Sequence, residues 1–206
     1  MRRIPIVATL IVVAATLLMV RLGVWQLHRL DEKKALLAHY AANATRPSIP
    51  FVALWPIDES ALFRRISAEC LNVVTWQAEA GRDRAGTVGW RHIASCRTGA
   101  EGPGFAVDMG ISQSSAAPGW KGGPVRGRLI WAPSPQPLIA RMFGATAAHD
   151  PMIVNDTAAP GLQPSAEPDP SLIPNNHFSY AIQWFLFAGI AVAIYGIALW
   201  QRGRRA

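Results

Sequence analysis

The chain has 206 residues, of which 50% are hydrophobic and 16% are charged. This length predicts one folded domain with or without appendages, and so apolar a composition argues against a disordered chain. The formal net charge is +7, but most of it comes from five arginines at the two ends, whereas residues 28–178 carry 14 basic against 13 acidic side chains. Because a phosphate-binding surface needs basic groups clustered on the folded part, no nucleic-acid partner is expected.

An uncharged run of 17 residues, residues 4–20, stands near the start of the chain. A helix over residues 4–25 reaches about 33 Å, which is enough to cross the hydrocarbon core of a bilayer. A cleavable signal peptide is the alternative, but the apolar run is longer than a usual signal and no small-x-small site follows it promptly. We therefore predict a transmembrane helix over residues 4–27.

Strong helix formers follow this first span, with leucines at positions 27, 30 and 37. They predict that the helix continues beyond the membrane as an amphipathic extension over residues 28–46. The extension must end before Pro47, because the residue preceding a proline avoids the helical conformation.

Short apolar segments separated by Gly, Pro and Asn make up residues 47–159. This pattern predicts an extramembrane β-rich domain built as an antiparallel sheet or a small barrel. The expected strands are residues 65–76, 88–96, 104–109 and 124–131, and a short helix is expected over residues 139–143.

The two cysteines, Cys70 and Cys96, each fall inside an expected strand. Neighbouring strands in an oxidising compartment would allow a disulfide, and two separate buried thiols are the alternative. A metal site is not expected, because there is no CxxC pair and His92 is the only other candidate ligand nearby.

Five prolines between residues 160 and 177 predict an extended tether back to the membrane. A second apolar run follows and predicts a transmembrane helix over residues 178–200. The fold class is thus an α+β membrane protein, with two transmembrane helices flanking an outward β domain.

Arginines after the second span place both termini in the cytoplasm. The central domain is then periplasmic, in the inner membrane of a bacterium.

Standard catalytic signatures such as a nucleophile elbow or a phosphate loop are missing, so a hydrolase assignment would be a guess. Polar side chains instead gather where each span meets its outer boundary, although such groups are expensive at membrane depth unless they face a partner or a cavity. A neutral imidazole there is a natural haem ligand, and an arginine could meet a propionate. The alternative is that His177 is an ordinary interfacial residue after two good N-caps. The boundary residues are Arg21, Trp25, Gln26 and His28 on the first helix, and His177, Tyr180, Gln183 and Trp184 on the second.

The same residues carry a family resemblance. Residues 22–33 resemble the LGxWQxxRxxxK signature of the surfeit locus protein 1 family, and residues 175–185 resemble its NxHxxYAxxWF signature. The intervening region is less similar. Segments at residues 63–66 and 125–129 match two family strands, but where the family reads V-x-R-G-W the arginine and tryptophan are replaced by Met109 and Ile111.

The resemblance implies an assembly factor for haem-copper cytochrome c oxidase that assists haem a insertion into the catalytic subunit, with haem a synthase as a further partner. It assigns the proposed haem ligand to His177. Tyr180, Trp184 and Arg21 complete the expected cofactor-binding set. Positions Trp25, Gln26 and Arg29 are expected to pack against the second helix or the oxidase. The alternative function is a membrane scaffold or envelope sensor that binds no haem and acts through its periplasmic domain.

Overall fold

The computed structural model describes residues 5–99, 102–133 and 150–204. The chain divides into two compact units. We call Met1–Leu37 together with Ile173–Ala206 the helix pair, and Ala38–Leu172 the β domain.

The helix pair is built from two long helices, α1 (Ile6–Thr45) and α2 (His177–Arg204). Both are long and apolar enough to cross a membrane. Helix α1 is continuous for 40 residues, so one helix covers both the predicted span and its predicted extension. It ends just before Pro47, as the steric restriction on the preceding residue requires.

Small residues pack along the helix pair. Gly23 on α1 and Ala181 and Ala188 on α2 are buried, whereas most large apolar side chains of both helices are exposed. A Cβ added at Gly23 would lie 2.6 Å from Cε1 of Phe185. Small residues that allow close approach of two helices are typical of packing within membranes.

The last turns of α1 belong to the β domain and are fixed to it by side chains. The amide of Asn43 donates to the carbonyl oxygens of Ser60 and Leu62 at 2.7 and 2.9 Å. The hydroxyl of Tyr40 donates to Glu59 at 2.9 Å. Burial, together with this contact to Glu59, raises the pKa of Tyr40 above its ordinary value.

Within the described residues, seven strands form one mixed sheet in the order β1-β2-β6-β7-β5-β4-β3. The prediction of an antiparallel or barrel-like sheet was wrong in two respects. Strand β7 lies between β5 and β6, which run in opposite directions, so it is antiparallel to β6 and parallel to β5. The sheet is also open, with β1 and β3 at its edges. The strands are β1 (Ile49–Pro50), β2 (Arg65–Cys70), β3 (Asn72–Arg82), β4 (Val88–Arg97), β5 (Gly104–Ser112), β6 (Gly123–Trp131) and β7 (Pro151–Asn155).

One predicted strand differs from the structure, and two strands of the sheet were not predicted. The expected strand over residues 65–76 is two strands, β2 and β3, separated at Leu71. Strands β1 and β7 were not predicted, although all five residues of β7 are buried. The helix expected over residues 139–143 lies outside the described residues.

The core lies on the sheet around β7. Leu129, Met152 and Ile153 have no exposed surface, and burying each such side chain contributes about 1.5–3 kcal/mol. Strands β6 and β7 approach so closely that a Cβ at Gly127 would clash with the carbonyl oxygen of Val154. Only glycine fits this position of the sheet.

A disulfide joins Cys70 of β2 to Cys96 of β4, whose Cα atoms lie 5.2 Å apart. Of the two alternatives left open by the sequence, the bridge is the one present. The backbone N–H of Leu71 donates to the carbonyl oxygen of Arg97 at 3.0 Å beside it. The two contacts tie β2 to β4, although three other strands separate them in the sheet.

Part of the proline-rich segment, which was predicted as an extended tether, is packed on the sheet. Strand β7 pairs with β5 only at residues 106–108. The backbone of Ile111 instead exchanges two hydrogen bonds with Gln163, at 2.7 and 2.9 Å. Ser165 is buried beside the same strand. The free edge of β5 beyond β7 therefore provides partners for this segment.

Candidate functional site

A hydrogen bond joins the two sequence motifs within the helix pair. His177 is the first residue of α2 and is half-buried. Its Nδ1 lies 2.7 Å from Oε1 of Gln26 on α1. The two residues are 151 positions apart in the sequence, so the contact depends on the packing of the two helices.

Two candidate residues of α1, Arg21 and Trp25, lie on one exposed face. Arg21 and Trp25 are exposed, and with Leu18 and Leu22 they line a groove of about 250 Å³. Spacings of three, four and seven residues place these side chains along one side of a helix. Among the described residues, Arg21 has no ion-pair or hydrogen-bond partner.

The other two cofactor-binding candidates of α2 differ in exposure. Tyr180 is 49% exposed, and Trp184 is half-buried. The ring of Trp184 contacts the edge of Phe187 at a centroid distance of 6.2 Å. The structure therefore brings the predicted ligand, His177, against α1 and leaves Tyr180 exposed.

The three motif residues predicted to pack behave differently from one another. Gln26 contacts α2 directly through His177. Arg29 instead contacts residues of its own helix: its guanidinium lies 2.6 Å from Glu32 and 5.9 Å from the ring centroid of Trp25. Sequence reasoning placed Gln26 in a packing role and missed its bond to His177, although both side chains are polar groups at the same predicted boundary.

One polar atom near His177 lacks a partner. Oδ1 of Asn175 is buried and accepts no hydrogen bond from the described residues. A buried acceptor without a donor is uncommon in native structures and calls for an explanation, such as a ligand or an ordered water. This atom lies two residues before the candidate ligand in the NxH motif.

Two buried polar residues of the β domain, His92 and Asp108, make hydrogen bonds within that domain. His92 lies 2.9 Å from the hydroxyl of Ser112 and 3.0 Å from the carbonyl oxygen of Ser114. Asp108 accepts from Ser165 at 2.6 Å and from the N–H of Gly110 at 3.0 Å. No group of three or more metal-ligating side chains occurs in the part of the chain that the structure describes.

Asp108 has an unusual electrostatic environment. Its Oδ2 lies 3.2 Å from Nε of Arg91, but the two atoms are not aligned for a hydrogen bond, so the contact is electrostatic only. Burial raises the pKa of Asp108, and the bond from Ser165 and the charge of Arg91 oppose that shift. The carboxylate is a buried structural group rather than an accessible acid.

A larger groove of about 790 Å³ lies on the β domain. Its lining combines residues from β2 and β6 with the end of β7, and contains none of the predicted site residues. The larger of the two grooves therefore does not coincide with the candidate site.

The chain has two terminal helices with the length and composition of membrane spans, and a histidine–glutamine hydrogen bond links them. A β domain lies between them in the sequence, and this arrangement is compatible with a membrane protein. The family model of the SURF1 family matches residues 13–189, which is most of the chain. The chain belongs to the SURF1 family, and the resemblance seen in its two motifs is confirmed. Among curated proteins, none matches the chain. The family is associated with cytochrome oxidase assembly, which indicates oxidase subunits as partners.

Proposed function

We propose that this chain assists the assembly of haem-copper cytochrome c oxidase by holding haem a at the helix pair and releasing it to the catalytic subunit. The observation that carries the proposal is the hydrogen bond between His177 and Gln26, which unites the two family motifs at one point. A bond at Nδ1 leaves the other imidazole nitrogen available to a metal. Haem is cargo in this proposal, so the chain makes and breaks no covalent bond and is not an enzyme.

The residues of the helix pair fit the chemistry of a haem. Iron takes an imidazole nitrogen as an axial ligand, which His177 offers. The unpaired guanidinium of Arg21 suits a propionate, since arginine binds carboxylates in a bidentate manner. The aromatic side chains Trp25 and Trp184 and the exposed apolar residues around them suit the porphyrin and its isoprenoid tail.

Accessibility supports transfer rather than storage. A site with one histidine ligand and exposed neighbours holds its cargo weakly, so a partner can remove it. We place the β domain in the periplasm and both termini in the cytoplasm, with the β domain docking on the oxidase. In this arrangement haem a synthase, itself in the membrane, supplies the cargo to the helix pair.

The test is spectroscopic and uses the full chain purified from cells that make haem a. The parent should show a Soret band, and His177→Ala should lose it. His28→Ala is the matched control, because His28 is an exposed histidine on α1, and this variant should keep the band. Far-UV circular dichroism establishes that each variant retains its helices. Equal haem binding by His177→Ala would overturn the proposal, and a parent without any Soret band would favour the scaffold or sensor.

A further inference from the structure

The hydrogen bond between Gln26 and His177 determines which imidazole nitrogen carries the proton. The acceptor is the amide oxygen of Gln26, 2.7 Å from Nδ1 of His177. A carboxamide oxygen has no hydrogen to give, so Nδ1 is the donor. In a neutral imidazole, a proton on Nδ1 leaves Nε2 with its lone pair.

We propose that Gln26 is a positioning residue that holds His177 in the Nδ1–H tautomer and so makes Nε2 the iron-binding nitrogen. Metal-binding histidines commonly donate their other ring N–H to a carboxylate or carbonyl oxygen, which fixes the tautomer and the orientation of the ring. Gln26 provides such an oxygen from the neighbouring helix. This inference rests on the proposed haem-binding function of His177.

The position of the two residues strengthens the argument. His177 begins α2, where the preceding chain is not helical, so the helix alone leaves the ring free to rotate about its side-chain torsions. Gln26 is half-buried within α1, with helical residues on both sides. The rigid helix α1 therefore orients a side chain at the less constrained start of α2.

The first experiment needs no haem. Nitrogen-15 NMR of the full chain in detergent, with labelled histidine, reports the protonation of each ring nitrogen of His177. The parent should show a protonated Nδ1 and an unprotonated Nε2. Gln26→Leu, which removes the acceptor, should show the mixture of tautomers of a free imidazole. Gln26→Glu, which keeps an acceptor at this position, should restore the parent pattern.

The second experiment is a haem titration of the same proteins. Loss of such a supporting group typically weakens metal binding 10- to 100-fold, so we expect that decrease for Gln26→Leu and affinity near the parent for Gln26→Glu. Gln183→Leu is the matched control, because Gln183 is an exposed glutamine on α2, and it should bind as the parent does.

The outcomes separate this inference from the proposed function. An unprotonated Nδ1 in the parent would overturn the role of Gln26 whether or not haem binds. Unchanged haem affinity in Gln26→Leu would also overturn it. A parent that shows the expected tautomer but binds no haem would instead overturn the proposed function.

Discussion

The helix pair and the β domain use their polar side chains differently. In the β domain, Asn155 accepts from the N–H of Arg126 at 2.9 Å and donates to the carbonyl oxygen of Thr157 at 2.7 Å. In the helix pair, His177 has one bond to Gln26, Arg21 has no partner among the described residues, and Oδ1 of Asn175 is buried without a donor.

The unpartnered polar groups beside His177 indicate where a ligand can bind. A polar group whose hydrogen bonds are complete gains little from a ligand, whereas an incomplete one loses free energy until a ligand or water completes it. In the helix pair, Oδ1 of Asn175 is such a group, and it belongs to the motif that contains His177. The β domain also contains buried atoms without a hydrogen-bond partner among the described residues, namely Nε of Arg64, Nε of Arg91 and Oδ2 of Asp108. The last two lie 3.2 Å apart and compensate each other's charge.

Removing the disulfide should have the largest effect on stability, and this effect should be confined to the β domain. The bridge closes a loop with a sequence separation of 26, and losing a native bridge from a small domain typically costs about 2–5 kcal/mol. The double variant Cys70→Ala/Cys96→Ala should therefore lower the thermal midpoint of the β domain in near-UV circular dichroism. Its haem binding at low temperature should match the parent, and a parallel loss of haem binding would show that the two regions are not independent.

Ser165→Ala should have the next largest effect. It removes the 2.6 Å bond to the buried carboxylate of Asp108, and a hydrogen bond to a charged group contributes about 1.5–3 kcal/mol. Faster hydrogen exchange should follow at residues 162–166, which lie against β5. Ser115→Ala, at an exposed serine, is the control; unchanged exchange in Ser165→Ala would contradict the assigned role of this bond.

Gly23→Val should disturb the helix pair more than the β domain. The new side chain meets the ring of Phe185. Overpacking costs about 1–3 kcal/mol. We expect the low end of this range, because the partly exposed ring of Phe185 can rotate away. The valine should separate Gln26 from His177, so haem affinity should fall. The unfolding midpoint of the β domain should stay constant. Gly196→Val on α2 makes the same change where nothing lies within 4 Å. An equal effect of both variants would show that helix propensity, not packing, is responsible.

The smallest effect concerns pH and the surface of the β domain. A hydrogen bond from Arg128 at 2.6 Å, followed by its charge, lowers the pKa of Glu167 below its ordinary value of 4.5. The folded state therefore binds the proton more weakly, so the stabilisation is present above pH 4.5 and is lost as the pH falls through the lowered pKa. Because this side chain is 44% exposed, solvent screening limits the effect to about 0.2–1 kcal/mol.

Urea unfolding of the parent and of Glu167→Gln as a function of pH measures the stabilisation that the Glu167 carboxylate contributes. The difference in unfolding free energy should shrink on acidification. Glu69→Gln, which removes an exposed carboxylate without an ion pair among the described residues, is the control. A difference that grows on acidification would contradict the assigned direction.

The sequence predicted the elements with strong local signals. Long apolar runs predicted both helices, and alternating apolar segments between turn residues predicted β4, β5 and β6. Strand β1 has two residues, one of them Pro50, and β7 has five, so neither has enough length for a distinct pattern. Their places in the sheet depend on pairing between distant segments, which also determines the mixed strand directions.

The candidate site was predicted in its residues but not in its contacts. The motifs identified His177 and Gln26, yet the bond between them depends on how α1 and α2 are rotated about their axes. Packing at residues such as Gly23 sets that rotation, and no local pattern encodes it. The docking of Ser165 on Asp108 was missed for a similar reason, because the free edge of β5 exists only once β7 is in place.

The most direct test of the central claim is the haem a content of the oxidase catalytic subunit in membranes of cells that express each variant. We expect His177→Ala to leave the subunit depleted of haem a, with the assembly factor present at parental levels, and His28→Ala to support a normal content. Normal haem a content with His177→Ala would contradict delivery through this histidine.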